Sequence, residues 1–358
     1  MNVIDLFCGC GGLSLGFKEA GFDVIAGIDW KQPAIDTFNR NFGNGRGFCR
    51  DLTTEKDSLF ASIGINNHVD VIIGGPPCQG FSNANRWEDE EKDPRNKLFF
   101  QYLAFVDRYN PSVVVIENVK QIITKNNGFA LKKITALFTQ RGYFVSHKIL
   151  KAINYGVPQD RQRNFFVMTR GEPFSFDSLI PVPGQSTVFD AISDLYQFEN
   201  QPRSSVYCLP EADYPAYQTS MHAANLEIFN HKITYPAEST QEKMRHVPQG
   251  GNWEDIPPEL FKTVRNNRHS SAYKRLAENA PSCTIDTGNA HSNYFHPLYN
   301  RIPTVREAAR IQSFPDDFIF EGTKSEQYVQ VGNAVPPLLA KALALAIMRF
   351  LNGQQQNH

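Results

Sequence analysis

Short apolar runs alternate with amphipathic stretches through the first 170 residues of the chain. The apolar runs predict five buried strands, at Val3–Phe7, Val24–Asp29, Val69–Ile73, Val113–Glu117 and Phe165–Met168. The stretches between them predict helices at Leu13–Ala20, Pro33–Asn41, Lys97–Arg108 and Phe129–Gln140. Such alternation is typical of an α/β fold with a doubly wound, mostly parallel sheet. Ligands bind beyond the carboxyl ends of the strands in these sheets, so residues that follow each strand are candidate site residues.

The segment from residue 172 to about residue 300 has a different character. It holds 12 of the 22 prolines and six of the nine histidines, and its periodicity is poor. We therefore predict a separate, loop-rich smaller domain there. After it, "TVREAARIQSF" and "PPLLAKALALAIMRFL" both predict helices.

The composition is that of an ordinary globular chain of 358 residues, with 41% hydrophobic and 20% charged residues. The chain has no run of about 18 apolar residues, so we expect no membrane span. No secretory signal is visible in its first residues. Six cysteines without framework spacing indicate a reducing compartment. The net charge of -1 neither suggests nor excludes nucleic acid. The pair Cys8 and Cys10 has no second pair or nearby histidine, so we predict no metal site.

The stretch "DLFCGCGG" predicts a tight turn between the first strand and the first helix. Gly9 and Gly11 would let the backbone approach a ligand closely. Ser14 stands where a dinucleotide-binding fingerprint has its third glycine, which weakens a phosphate-binding interpretation and leaves an adenosine-type ligand open. A plain glycine turn explains the same residues equally well.

Acidic and aromatic residues lie at two further strand ends, "AGIDW" and "CRDLT". Asp29 ends a strand 18 residues after Gly11, close to the spacing at which an acid binds ribose hydroxyls. Trp30 offers a face for an adenine ring, and Asp51 could accept a hydrogen bond from its amino group. An acid at a strand end is often only a helix cap, but the three together favour a nucleoside site.

Three further positions have residues suited to catalysis. Cys78 in "GGPPCQGFS" is held behind two prolines, which favours a presented nucleophile over a structural cysteine. Glu117 ends an apolar strand, where a part-buried carboxyl could donate a proton. Arg161 and Arg163 in "QDRQR" lie two apart on one predicted strand face and could fix a planar polar substrate. The structural alternative for Glu117 is a cap of the following helix. For Arg161 and Arg163 it is a solvated strand edge.

Six motifs occur in the order typical of DNA (cytosine-5) methyltransferases: "DLFCGCGG", "GGPPCQGFS", "ENV", "QDRQR", "RIPTVREAARIQSFPDDF" and "QVGNAVPP". The chain resembles that family over most of its length outside residues 172 to about 280. The resemblance implies a Rossmann-like fold, S-adenosylmethionine as methyl donor, S-adenosylhomocysteine as product, no metal, and double-stranded DNA as substrate. It also implies a catalytic and cofactor-binding domain at 1–171 plus about 301–358, with the C-terminal helix folding back. A target-recognition domain would occupy about 172–300.

The resemblance assigns roles to single residues. Cys78 matches the nucleophile that attacks cytosine C6, Glu117 the acid at N3, and Arg163 the residue at O2, with Arg161 supporting nearby. The expected cofactor contacts are Phe7, Gly9, Gly11, Asp29, Trp30, Asp51, Pro77, Leu98 and Asn333.

DNA contacts are expected from two places. The resemblance puts Gln79 and Ser82 in a loop that closes over the DNA and Thr284 at the end of the recognition module. Residues 243–275 hold seven Lys or Arg against three acids, which gives Arg245, Arg265 and Arg268 as candidates. A solvated basic surface is the structural alternative, and the bases that are read stay open.

Alternative functions are an RNA-directed member of the family acting on tRNA, a silent DNA-binding protein and a cysteine hydrolase. The first is disfavoured because a Cys-Phe-Thr segment is absent, and the second because Cys78, Glu117 and Arg163 are present. The third needs a histidine base, and neither His68 nor His147 has a hydrolase context. We expect a monomer that acts in the cytoplasm and is encoded by a bacterium or a phage. The sequence leaves open whether a cognate restriction endonuclease accompanies it.

Overall fold

A computed structural model describes residues 1–54, 56–77, 97–201, 204, 206–261, 272–287 and 294–356. The chain forms two compact units. The first consists of Met1–Lys151, Gln162–Val182 and Pro337–His358, and the second of Ala152–Arg161 and Pro183–Pro336.

The first unit is built on a seven-stranded sheet. Its strands are β1 (Asn2–Leu6), β2 (Asp23–Asp29), β3 (Gly47–Cys49), β4 (Val71–Gly74), β5 (Val113–Val119), β6 (Phe144–Lys151) and β7 (Gln162–Thr169). Its helices are α1 (Gly12–Glu19), α2 (Gln32–Phe42), α3 (Lys56–Ile63), α4 (Lys97–Tyr109) and α5 (Phe129–Thr139), with α11 (Pro337–Gln356) from the C-terminus. The five predicted strands and four predicted helices are all present, with ends shifted by three residues at most.

The strand order is β3-β2-β1-β4-β5-β7-β6, and the first five strands in that order are parallel. The chain runs outward from β1 in both directions, so the order reverses between β1 and β4. A reversal of this kind opens a crevice beyond the carboxyl ends of the two strands. The predicted doubly wound, mostly parallel α/β fold is confirmed.

The far edge of the sheet differs from the rest. β7 lies between β5 and β6 and is antiparallel to both. The sequence did not predict β6 because most of its side chains are exposed or half-buried, as befits an edge strand, and no apolar run marks it. Of β3 the sequence indicated only the end, at "CRDLT", because its three residues are all half-buried and form no apolar run. Because β7 runs antiparallel to β5, its first residues lie beside the last residues of β5.

Helix α11 packs against α1 in the first unit. A side chain at Gly16 would fall 2.4 Å from the Cβ of Ala340, so the two helices touch almost backbone to backbone. By length and composition the stretch Lys324–Gln354 could cross a membrane, but 61% of its most apolar window is buried inside the protein. The apolar face of this stretch is therefore mostly buried, and α11 packs against the N-terminal helix α1.

The second unit consists of short elements around buried ion pairs. They are α6 (Val188–Ile192), β8 (Val206–Cys208), α7 (Ala216–Met221), β9 (Glu227–Phe229), α8 (Glu238–Arg245), β10 (Lys274–Arg275), β11 (Tyr294–Phe295), α9 (Val305–Ile311) and α10 (Lys324–Asn333). Strands β8 and β9 pair antiparallel, whereas β10 and β11 pair parallel.

The unit boundary differs from the expected domain boundary, because residues 301–336 cluster with the second unit. Arg301 pairs with Glu199 and Glu307, and all three side chains are almost fully buried. Arg310 pairs with Asp194 and Asp316 in the same way. Charges removed from water need partners, so these pairs fix 301–336 to the segment around 194–199. The assignment of 172–300 to target recognition stays a prediction.

Candidate active site

The turn after β1 has a backbone suited to close approach by a ligand. Phe7 and Gly9 both have left-handed backbone, with φ of 62° and 53°. This conformation is costly for phenylalanine, and such strain concentrates at ligand sites. A side chain at Gly9 would meet no atom of the described residues within 4 Å, so the surface there is open. The Cys8 amide donates to the carbonyl of Ile28 at 3.1 Å, which joins the turn to β2.

Asp29 at the end of β2 fixes that turn. One carboxylate oxygen accepts a hydrogen bond from the Gly9 amide and the other from the Lys31 amide, both at 3.0 Å. Trp30 beside it is 68% exposed, although burial of so large an aromatic side chain is the rule. The predicted carboxylate and aromatic surface are thus brought together at one strand end.

Asp5 and Ser14 form a buried link that the sequence did not indicate as functional. The Ser14 hydroxyl donates to the Asp5 carboxyl at 2.6 Å, which ties β1 to α1 beneath the turn. Burial raises the pKa of Asp5 to about 8, with the charge of Asp29 adding to the rise. The signal available was Ser14 itself, a polar residue where a glycine belongs in a phosphate-binding turn.

The other expected cofactor residues of the first unit lie near the same edge. Asp51 follows β3, is exposed, and accepts a hydrogen bond from the Thr53 amide at 2.8 Å. That bond holds the pKa of Asp51 below its usual value, so the carboxylate is ionised. Leu98 lies half-buried at the start of α4, and Pro77 is exposed after β4. Whether they contact a cofactor stays a prediction.

Glu117 and Arg163 form an ion pair at the junction of β5 and β7. Arg163 Nε lies 2.9 Å from Glu117 Oε1, and the two side chains are 16% and 17% exposed. The pair exists because β7 is antiparallel, so that Arg163 near its start meets Glu117 near the end of β5. The two residues form a carboxylate and guanidinium pair that is partly open to solvent.

The loop that leads to Cys78 is attached to this pair. Asn118 donates from its side-chain amide to the carbonyl of Pro76 at 3.0 Å. A side chain at Gly75 would lie 3.1 Å from Glu117 Oε2, so this backbone passes close to the carboxylate. Asn118 was not predicted as a site residue, although it follows Glu117 directly in "ENV". Cys78, Gln79 and Ser82 lie outside the described residues.

Arg161 has surroundings different from those expected. It is fully buried in the second unit and donates to the carbonyls of Ile285 at 2.8 Å and Gly332 at 2.9 Å. It precedes β7, so it does not share a strand face with Arg163. These contacts give Arg161 a structural role in joining two backbone segments.

The remaining candidates lie in the second unit. Asn333 ends α10 and is exposed, and Thr284 donates from its hydroxyl to the carbonyl of Asp160 at 2.8 Å. Arg245 pairs with Glu238 and Glu242 on its own helix, which fits the structural alternative of a solvated surface. Arg265 and Arg268 lie outside the described residues.

The thiols near the turn have no sign of reactivity. Burial raises the pKa of Cys10 to about 12 and that of Cys8 well above its usual value, so both stay protonated near neutral pH. Within the described ranges, no group of three or more His, Cys, Asp or Glu side chains could hold a metal ion.

The sequence of this chain matches that of a known protein family. The family model described as C-5 cytosine-specific DNA methylase matches residues 1–349. The chain belongs to this family. It is therefore a DNA cytosine-5 methyltransferase by family.

Similar proteins of known type indicate the kind of cytosine-5 methyltransferase. The chain is 37% identical over 369 residues to the type II methyltransferase M.DdeI of Desulfomicrobium norvegicum, covering 96% of this chain and 88% of the relative. It is 38% identical over 357 residues to M1.HphI of Haemophilus parahaemolyticus, covering 98% and 87%. This cytosine-5 methyltransferase is thus of the type found in type II restriction-modification systems.

Solved structures agree on the fold. One described as a DNA modification methyltransferase encoded within an E. coli prophage superposes with a TM-score of 0.76 at 27% identity, covering 98% of this chain and 99% of that one. The Dnmt2 methyltransferase of S. pombe superposes with a TM-score of 0.60 at 18% identity, covering 98% and 99%. The second likeness concerns the fold alone.

Proposed function

We propose that this methyltransferase transfers a methyl group from S-adenosylmethionine to C5 of a cytosine flipped out of duplex DNA, through an adduct between Cys78 and C6. The observation that carries the proposal is the Glu117–Arg163 pair beside the backbone that leads to Cys78. A cytosine ring offers N3 and O2 on one edge, and a carboxyl and a guanidinium side by side suit those two atoms.

The chemistry needs each of these groups. Cytosine C5 is a poor nucleophile until a thiolate adds at C6, which makes an enamine-like ring that is nucleophilic at C5. Glu117 donates a proton or hydrogen bond at N3, and Arg163 stabilises charge at O2. After C5 is methylated, a base removes the C5 proton and the Cys78 thiolate leaves. A stacked base cannot be reached, so extrusion costs a few kcal/mol.

The turn after β1 fits the adenosine part of the methyl donor. When bound, S-adenosylmethionine supplies the electrophilic methyl group. Asp29 lies where its carboxylate can accept from ribose hydroxyls, and the exposed ring of Trp30 can cover adenine. The open backbone at Gly9 leaves room for the amino-acid part.

We assign sequence recognition to the second unit, with Thr284, Gln79 and Ser82 as DNA contacts. The protein would act as a monomer in a bacterial cytoplasm, alongside an endonuclease that cuts the same unmethylated sequence. Names of the type II relatives support this context.

The test is incubation of the purified protein with S-adenosylmethionine and unmethylated genomic DNA, followed by bisulfite sequencing. We expect protection of one cytosine within one short motif. No protection while the cofactor still binds would contradict the proposal, and protection of tRNA in a parallel reaction would favour the RNA-directed alternative.

A further inference from the structure

Two buried glutamines meet in the second unit. Gln159, from the "QDRQR" motif, and Gln312, just after α9, are both fully buried, and the Gln159 amide donates to the side-chain oxygen of Gln312. Buried amides are costly unless all their polar atoms are satisfied, so their partners show what they hold together.

The first partner segment contains Thr284. The side-chain oxygen of Gln159 accepts a hydrogen bond from the Ile285 amide at 3.0 Å, and Arg161 donates to the Ile285 carbonyl at 2.8 Å. Both backbone groups of Ile285 are therefore fixed by side chains of "QDRQR". Thr284, immediately before it, is held through its hydroxyl to the same motif at Asp160.

The second partner segment contains Asn333. Gln312 donates to the carbonyls of Ala334 at 2.7 Å and Val331 at 3.2 Å, and Arg161 donates to that of Gly332 at 2.9 Å. The carbonyls at the end of α10 are thus bound by side chains rather than left to solvent. A side chain at Gly332 would lie 2.5 Å from the carbonyl carbon of Asp286, so the two segments are in direct backbone contact.

We infer that Gln159, through Gln312, is a positioning residue that couples DNA binding at Thr284 to cofactor binding at Asn333. The inference rests on the proposed function, because the roles of Thr284 and Asn333 do. A shift of the Thr284 segment moves the Asn333 segment, because both are hydrogen-bonded to the buried pair of Gln159 and Gln312. Coupling of this kind is reciprocal, so duplex DNA raises the affinity for the cofactor product as much as the product raises the affinity for DNA.

The chain offers a matched control. Gln218 is also a buried glutamine of the second unit, and it donates to Ser193 Oγ at 2.7 Å and to the Phe189 carbonyl at 3.2 Å. Gln218→Met removes a buried amide of the same kind without touching either segment. Gln159→Met and Gln312→Met remove the proposed coupling contact from its two sides.

The experiment measures the Kd of S-adenosylhomocysteine by calorimetry, with and without a duplex that carries the motif mapped by bisulfite protection. We expect the duplex to tighten binding to the wild type by about fivefold or more. Gln159→Met and Gln312→Met should bring that ratio close to one, whatever the affinity of each variant for the product alone, and Gln218→Met should keep the wild-type ratio.

Three results would overturn the inference. They are a wild type that binds both ligands without coupling, an unchanged ratio in Gln159→Met and Gln312→Met, and an equal loss in Gln218→Met, which would indicate general destabilisation. A wild type that neither binds the product nor methylates DNA refutes the proposed function instead. Thermal unfolding of each variant confirms that the folded protein is being titrated.

Discussion

The two units of the protein use the same chemical pair, arginine with a carboxylate, in opposite ways. In the first unit Arg163 and Glu117 meet at the edge of the sheet with about a sixth of each side chain exposed. In the second, Arg310 lies between Asp194 and Asp316 with all three side chains fully buried. Glu117 and Arg163 are reached by water and can each bind a ligand in place of the other. The buried triad of Arg310, Asp194 and Asp316 instead stabilises the fold. Burial, rather than residue type, separates the site from the scaffold.

Two buried carboxyl groups, one in each unit, have pKa values shifted in opposite directions. Glu307 is fully buried, yet Arg301 outweighs the cost of burial and holds its pKa well below the usual range. Asp5 is equally buried beneath the turn after β1, and there burial raises its pKa to about 8. A carboxyl with a guanidinium partner stays charged, and one with a hydroxyl partner resists ionisation.

Replacement of Glu117 should have the largest effect. Glu117→Gln keeps the shape of the side chain but cannot donate the proton at N3, so we expect kcat to fall by about 10² to 10⁴. Single-turnover methylation of the mapped duplex measures it. Asp107→Asn, which breaks a surface pair with Arg141 in the same unit, is the control and should leave kcat unchanged. Equal losses in both variants would mean that Glu117 has no catalytic role.

Replacement of Arg310 should mainly lower stability. Arg310→Met removes the cation between two buried carboxylates and leaves Asp194 with His222 and Asp316 with Arg306, so we expect the free energy of unfolding to fall by about 3–5 kcal/mol. The same change at the edge, Arg163→Met, should cost less than about 1.5 kcal/mol because water reaches both groups. Urea unfolding compares the two. Similar costs would remove the distinction between the edge pair and the buried triad.

Asp5 should make stability depend on pH. Its pKa is raised in the folded protein from an ordinary 3.8 to about 8, so the folded state binds more protons than the unfolded state between those values. The free energy of unfolding should therefore fall as pH rises through this window, by up to about 1.4 kcal/mol per pH unit. Asp5→Asn should remove this slope in denaturant titrations at pH 5, 6.5 and 8. An Asp5→Asn variant with the wild-type slope would contradict the account.

Asp29 should have the smallest effect of the four. Asp29→Asn loses one charged acceptor at the end of β2, and we expect S-adenosylhomocysteine to bind about tenfold more weakly. Asp23→Asn at the other end of the same strand breaks only a surface pair with Arg46 and is the matched control. Calorimetry at one pH measures both. Unchanged affinity in Asp29→Asn would leave the carboxylate as a turn cap only.

Much of the first unit could be predicted because its strands are buried on both faces and appear as apolar runs, as in Val113–Glu117. The strand β6 was missed because it is mostly exposed, and only the end of β3 was indicated because that strand is three residues long. The strand β7 was predicted, but no local pattern shows that it runs antiparallel to β5, which is the reason that Arg163 meets Glu117.

The catalytic and binding roles of the site residues stay predictions, and what the structure adds is the surroundings of these residues. The resemblance supplied Glu117 and Arg163, and the structure pairs them. It could not separate Arg161 from Arg163, because two guanidiniums two residues apart look alike until one is buried against Ile285 and Gly332. No local pattern shows that Arg301 and Arg310 are buried, because arginine is mostly exposed in folded proteins.

The most direct test of the account is to trap the adduct. The protein is incubated with S-adenosylmethionine and the mapped duplex carrying 5-fluorocytosine at the target, where fluorine replaces the proton that a base must remove. The account predicts a covalent complex that survives denaturation, with mass spectrometry locating the cytosine on Cys78 and none formed by Cys78→Ala. Rapid methylation without any adduct, or an adduct on another cysteine, would contradict it.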